Sequence, residues 1–416
     1  TGVGYGTLNV NSTGTFNTAV GSKALFCNTV GSNNTAVGFC ALRSNTTGTC
    51  NTAVGHTALT YNTTGFRNTA VGFQSLFRNT TGYNNTSFGD SSLRNNQTGI
   101  NNTALGRAAL YVNNAGTNNV AVGYRALILN TASNNTAVGV SALGNNTTGY
   151  INVALGVNSM LNNTTGRANT AVGYQAMCAN TTGLANVAIG TNSFKNNTIG
   201  CFNTAVGLQA LFSNTTANCN TAMGVNALLC NTIGCLNTAI GVYALRNNTT
   251  GCVNTALGVF ALCANTIGAR NTGLGVNTLR NNTTGVDNTA VGYQALYKNV
   301  VGINNVGIGR DTLYCNTASN NTAVGFCALR SNTVGDSNVS VGSYNLINNT
   351  SGGGNTSVGF TAMQANTIGR RNTALGAQAL RCNVSGCYNT ALGDYALRNN
   401  TASANTAVGY ESLRAN

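Results

Sequence analysis

Side chains able to do acid–base chemistry are scarce in this chain. It has one histidine, His56, and six carboxylates, Asp90, Asp287, Asp311, Asp336, Asp394 and Glu411, spread over 416 residues. General acid–base work needs such groups held together, and no Ser-His-Asp, Cys-His or paired-carboxylate constellation is visible. No enzyme and no cofactor are therefore expected. A zinc site needs closely spaced Cys and His ligands; that pattern is missing too, so no metal is expected. The thiols are the more numerous reactive groups, 14 in all. Cys230 and Cys235 bracket one turn, Cys382 and Cys387 another, and Cys235 stands 17 residues before Cys252. If that interval brings the chain back over itself, Cys235 and Cys252 fall within the Cα reach of a disulfide, roughly 4.4–6.8 Å. Such bridges would fit an oxidising, extracellular setting; scattered thiols such as Cys178 and Cys263 fit it less well.

The interval of 17 is the organising fact of the chain. Asn-Thr-Ala-Val-Gly recurs at Asn17, Asn34, Asn51 and Asn68, and variants continue to Asn405. One unit reads N-T-A-V-G-x-x-A-L-x-x-N-T-T-G-x-x, positions 1 to 17. About 25 units fill residues 1–416 as one continuous array, with nothing left for a second domain. The units beginning at Asn119, Asn305 and Asn389 are each one residue short, at a Thr-Ala-Ser stretch.

Columns of this alignment separate what is fixed from what is free. Position 5 is Gly (Gly21, Gly38, Gly55), position 12 is Asn (Asn28, Asn45, Asn62, on to Asn416) and position 9 is almost always Leu (Leu25, Leu42, Leu59). Position 4 is always apolar. Positions 6, 7, 10, 11, 16 and 17 accept nearly anything, as a wet surface would. Seventeen residues are too few for the helix pair of common helical repeats, about 34 residues. Fixed Gly, β-branched Thr and Val, and no sustained 3.6-residue period favour short strands and tight turns. The expected fold is an all-β parallel β-solenoid, its rungs about 4.8 Å apart. Positions 4 and 9 are expected to supply the aliphatic core. The position-12 amides are expected to form a ladder from rung to rung, as in cross-β stacks, and Gly at position 5 to mark a corner with positive φ or a close backbone approach.

The same columns sort the surface chemistry. Asn-x-Ser/Thr sequons number roughly thirty, and many use the position-12 Asn. Position 14 holds Thr47 in one unit, Val30 in another and Ile199, Ile233, Ile267 or Ile368 elsewhere. Those side chains share a shape but not a hydroxyl, so the column reads as an inward β-branched site and position 12 as structural. The better glycan acceptors are the sequons on variable columns: Asn145, Asn162, Asn196, Asn247, Asn281, Asn348 and Asn399 at position 11. Asn33, Asn84, Asn101, Asn134 and Asn320, each just before a unit's first Asn, join them. The mostly-Thr position 13 reads as outward, first as a plain β-branched strand column and second as a further column for O-linked sugar. The net charge of +14 is carried mainly by Arg at position 10, with Arg381, Arg398 and Arg414 on three successive units. Aromatics share that edge. It reads as a solubilising edge or as a stripe for anionic glycans or a cell surface; no nucleic-acid partner is expected.

At the N-T-A-V-G-x-x-A-L columns, as in Asn51-Thr52-Ala53-Val54-Gly55-His56-Thr57-Ala58, the chain resembles the β-roll repeats of trimeric autotransporter adhesin heads. It is also similar to repeats of long phage and bacterial surface fibres. The resemblance covers essentially the whole chain, and the N-T-T-G segment is additional to that family's usual coil. It implies an extracellular fibre or adhesin module at the cell surface, with self-association end to end or laterally and glycans bound or attached. Regular units at both termini are read either as a window on a longer array or as subunits stacked end to end, because solenoids ordinarily end in polar caps. No run of about 18 apolar residues is present, so no membrane span is expected, and Thr1-Gly2-Val3-Gly4 has no leader pattern. The alternatives are an adhesin for anionic glycans and an ice-binding solenoid, for which outward Thr would supply at most one file.

Overall fold

The computed structural model describes residues 1–415; Asn416, the last expected member of the position-12 column, lies outside the described residues. The chain divides into two compact units, Thr1–Val206 and Gly207–Asn416. Each is an all-β parallel solenoid. The first runs from β1 (Gly2–Val3) to β13 (Thr204–Val206), and the second from β14 (Thr221–Met223) to β25 (Thr406–Val408). Successive strands within a unit pair in parallel and in register, so Thr18, Ala19 and Val20 lie over Thr35, Ala36 and Val37. In the second unit Thr221, Ala222 and Met223 pair likewise with Thr238, Ala239 and Ile240. The shortened rungs keep this register: Val120 pairs with Thr136 and Val306 with Thr322. The lost residue is absorbed in the turn, where Asn130 donates to the carbonyl of Ala132 two residues on. A full-length rung uses the glycine three residues on, as Asn45 does with Gly48.

The interior is smaller and more polar than the hydrophobicity of the columns implies. Ala19, Ala24, Leu25 and Asn28 are all fully buried, as are Asn34 and their equivalents rung after rung. Position 4 corrects the expectation. Val20, Phe88, Leu257 and Met223 point outward, Phe88 with 55% of its surface exposed. The strand alternates, as pleated backbone must, and it is the small residue at position 3 that faces in. Position 14 is corrected as well: Val30, Ile199, Ile233, Ile267 and Ile368 are about half exposed or more, Ile233 reaching 56%. A 17-residue rung encloses too little volume for a second large aliphatic side chain, so Leu at position 9 fills it and Ala lines the rest.

Two asparagine files run through this interior. At position 12, Nδ2 of Asn45 donates to Oδ1 of Asn28 at 2.7 Å, and Asn62 donates to Asn45 at 2.7 Å. The other Nδ2 proton of Asn45 closes the turn on the Gly48 carbonyl at 2.9 Å. At position 1, Oδ1 of Asn34 accepts both the backbone N–H (3.0 Å) and Nδ2 (3.2 Å) of Asn51. Unsatisfied buried amides cost about 1–3 kcal/mol each, and the repeat removes that cost by giving each amide its neighbour. The file breaks before two of the three shortened rungs, where Oδ1 of Asn113 and of Asn383 are buried without a partner, and once before a full rung, at Asn366. Before the third shortened rung Asn316 still donates to Asn299, at 3.4 Å.

The corners are built from unusual backbone. Gly21 has φ of 121°, and a Cβ there would lie 2.6 Å from the Gly38 carbonyl oxygen. Gly31 at position 15 needs no positive φ; a Cβ there would strike Oδ1 of Asn28 at 2.6 Å. Positions 7, 9 and 17 are left-handed without being glycine, as at Lys23 (57°), Leu25 (49°) and Asn33 (57°). That conformation costs roughly 1–2 kcal/mol per residue. Each of these residues donates its N–H to a neighbouring rung, Leu25 to Ala41 at 3.0 Å and Lys23 to Tyr5 at 2.8 Å.

Candidate interaction surfaces

With the interior occupied by ladders, chemistry is left to the outward columns. The two classes of sequon Asn separate as the columns imply. Asn45 and Asn62 are fully buried and their donors are spent. Asn33, Asn84, Asn101, Asn134 and Asn320 are exposed, as are Asn145, Asn162, Asn348 and Asn399, whereas Asn196, Asn247 and Asn281 are half-buried. Several exposed acceptors form ladders of their own: Asn84 donates to Asn101 at 3.1 Å, Asn101 to Asn118 at 3.2 Å and Asn145 to Asn162 at 3.0 Å. Position 13 is half-buried at most rungs, as at Thr46 and Thr63, and exposed at others, as at Thr131, Thr317, Thr333 and Thr350. The Thr46 hydroxyl donates to the carbonyl of Thr63 at 3.0 Å, an inter-rung bond that recurs along the column.

The carboxylates are dispersed and mostly answered by arginine. Arg270 meets Asp287 with two bonds of 2.7 and 2.9 Å between adjacent rungs, which holds the Asp287 carboxyl below its usual range. Asp90 pairs with Arg107, Asp311 with Arg310 and Glu411 with Arg414. His56 is stacked between Phe39 and Phe73, ring centres 5.0 and 5.6 Å away.

Cys230, Cys235, Cys252, Cys382 and Cys387 are all present as thiols. Of the pairings the sequence offers, stacking brings Sγ of Cys235 and Cys252 to 3.1 Å. Hydrogen bonding to Cys252 is the main cause that pushes the Cys235 thiol up, with burial second. Cys382 and Cys387 lie on different corners of one rung, and Cys387 Sγ instead accepts the N–H of Arg370 at 3.3 Å. This role follows from a pattern that the column alignment did not reveal. A small Ser or Cys at position 16 takes the N–H of the rung before it, as Ser32 does for Thr15 at 3.0 Å.

Along the position-10 edge most of the arginines are engaged by their neighbours. Nε of Arg94 donates to Gln74 and Nη1 to the Tyr111 hydroxyl, with the guanidinium 5.4 Å from the Phe77 ring centre. Arg280 lies 4.7 Å over Phe260. Of the three successive arginines, Arg381 donates to Gln364 at 3.0 Å, while Arg398 and Arg414 flank the Tyr395 ring at 5.4 and 5.5 Å. Cation–π contacts at exposed sites contribute about 0.5–1 kcal/mol each, and the interleaved rings keep like charges apart.

Two further outward columns are largely apolar: position 4, which the sequence reading places in the core, and position 6, which it places on the surface. Position 4 contributes Leu105, Leu257 and Leu375, and position 6 contributes Phe73, Tyr174 and Phe360, all exposed. The signal was present in the columns: position 3 admits only small residues, whereas position 4 accepts anything from Val to Phe. Comparison with models of known families and with curated proteins returns no match.

Proposed function

We propose that the chain is a structural module of an extracellular fibre or cell-surface appendage, assembled by contact between copies and carrying glycans on its outward asparagines. The observation that carries this reading is where each kind of residue sits. The interior is given to repeating files of Ala, Leu and Asn, and the exterior presents exposed or half-exposed aliphatic and aromatic side chains along position 4, and along position 6 between charged breaks at Asp90, Arg107, Arg310 and Asp394. Files of that kind match another array of the same spacing along its length, and exposed apolar patches mark association surfaces. Exposed sequons at positions 11 and 17 agree with a surface setting, as does the resemblance to adhesin heads and surface fibres. Among the described residues no helix is long and apolar enough to cross a membrane.

Negative-stain microscopy and sedimentation over a concentration series test the proposal. Filaments or ordered lateral assemblies are expected, and Val37→Asp with Val54→Asp and Leu105→Asp should dissolve them while the circular dichroism of the β-structure persists. A chain that stays monomeric at every concentration would sink the proposal.

A further inference from the structure

One corner of the second unit departs from the rest. At positions 16 and 17 the successive rungs carry Asp336-Ser337, then Gly353-Gly354, then Arg370-Arg371. The middle rung has no side chains there, and a cleft of about 420 Å³ opens between its neighbours, within the size range of small-molecule sites. Its frame is fixed on both sides. Gly354 donates to the Asp336 carbonyl at 2.9 Å, and Arg371 to the Gly353 carbonyl at 3.1 Å.

The charges make the cleft more than a gap. Where Arg270 and Asp287 occupy position 17 of adjacent rungs, they close on each other in a bidentate pair. Asp336 and Arg370 are two rungs apart, about 9–10 Å, and among the described residues no ion pair joins them. An acidic wall and a basic wall therefore face each other across the stripped rung. Arg371 leans on Tyr388, donating to its hydroxyl at 3.3 Å, and so stands at the edge. Ser337 and Ser351 supply hydroxyls to the lining, and Val334 an apolar contact.

We propose that this cleft binds an acidic sugar of the hexuronate class. Its carboxylate pairs with the Arg370 guanidinium, whose planar fork suits bidentate recognition. Its ring hydroxyls donate to Asp336 and exchange bonds with Ser337 and Ser351. A simple anion answers only the basic wall and is repelled by Asp336; a neutral sugar leaves Arg370 unpaired. The site lies wholly inside one unit and does not rest on the fibre reading, because a dispersed monomer would bind equally.

Titration of the full chain with galacturonate at low salt, followed by calorimetry or ligand-observed NMR, tests this. Saturable binding is expected, with acetate and glucose at least about tenfold weaker. Arg370→Ala with Arg371→Ala should weaken galacturonate at least about tenfold. Gly353→Gln should block it by filling the cleft; the backbone of Gly353 is outside the positive-φ set, and its new Cβ would meet the mobile end of the Asp336 side chain at 2.7 Å and turn that carboxylate aside. Asp336→Ala offers a surface variant that leaves the corner unfilled, and it should narrow the gap between galacturonate and acetate. Acetate binding as tightly as galacturonate, an α-amino acid binding more tightly than either, or full retention in folded Gly353→Gln would each overturn the assignment.

Discussion

A buried amide in every rung costs least where it is completely used. Asn45 shows how: Nδ2 donates up the file and into its own turn, while Oδ1 accepts from Asn62. Glutamine carries the same group one methylene further out, where it can meet neither the Asn28 oxygen nor the Gly48 carbonyl without overpacking a full interior. Asn45→Gln should therefore cost about 2–4 kcal/mol, read as a lowered unfolding midpoint and faster hydrogen exchange in the rungs on either side. A loss under about 0.5 kcal/mol would mean the ladder is ornamental. At the same scale, the raised Cys235 thiol sets a pH dependence. The thiolate is the attacking form, so with a mild disulfide oxidant the Cys235–Cys252 bridge should form slowly at neutral pH. It should speed up as pH passes above the ordinary thiol range. Peptide mapping should find this link in preference to Cys230–Cys235 or Cys382–Cys387.

Within a single rung, some of the structure was legible and some was not, for physical reasons. Gly21, Asn28 and Leu25 were readable because each has a unique requirement, respectively φ of 121°, a two-sided amide bond and a filled core. The inward-facing strand residue was missed because hydrophobicity was weighed ahead of size. Ala19 is the buried one and Val20 the exposed one, and the tolerance of position 4 for Phe88 already said so. The left-handed corners at positions 7, 9 and 17 left almost no trace in composition, since Lys23, Leu42 and Arg67 adopt them alike. Their strain is held by inter-rung bonds, such as that from Gln74 N–H to the His56 carbonyl at 3.1 Å. Glycine should relieve it. Gln74→Gly is expected to stabilise by up to about 1 kcal/mol, the opposite of what glycine does in an ordinary strand, and a thermal melt against Gln74→Ala would show the difference.

At the scale of the molecule, repetition is what made the fold readable: identical neighbours above and below impose the same demands on every copy, so the columns of one chain stand in for an alignment. The Asp336–Gly353–Arg370 cleft was not legible this way, because it arises from three rungs differing in concert on columns that otherwise accept anything. Spin labels introduced by non-cysteine chemistry at Ser22 and Arg107, both at position 6 and five rungs apart in the first unit, test the stacking most directly. In-register rungs predict a narrow distance distribution near 24 Å, five times about 4.8 Å, for residues 85 apart in sequence. A broad distribution, or a centre displaced well beyond the length of the labels, would contradict a solenoid in which like columns lie over one another.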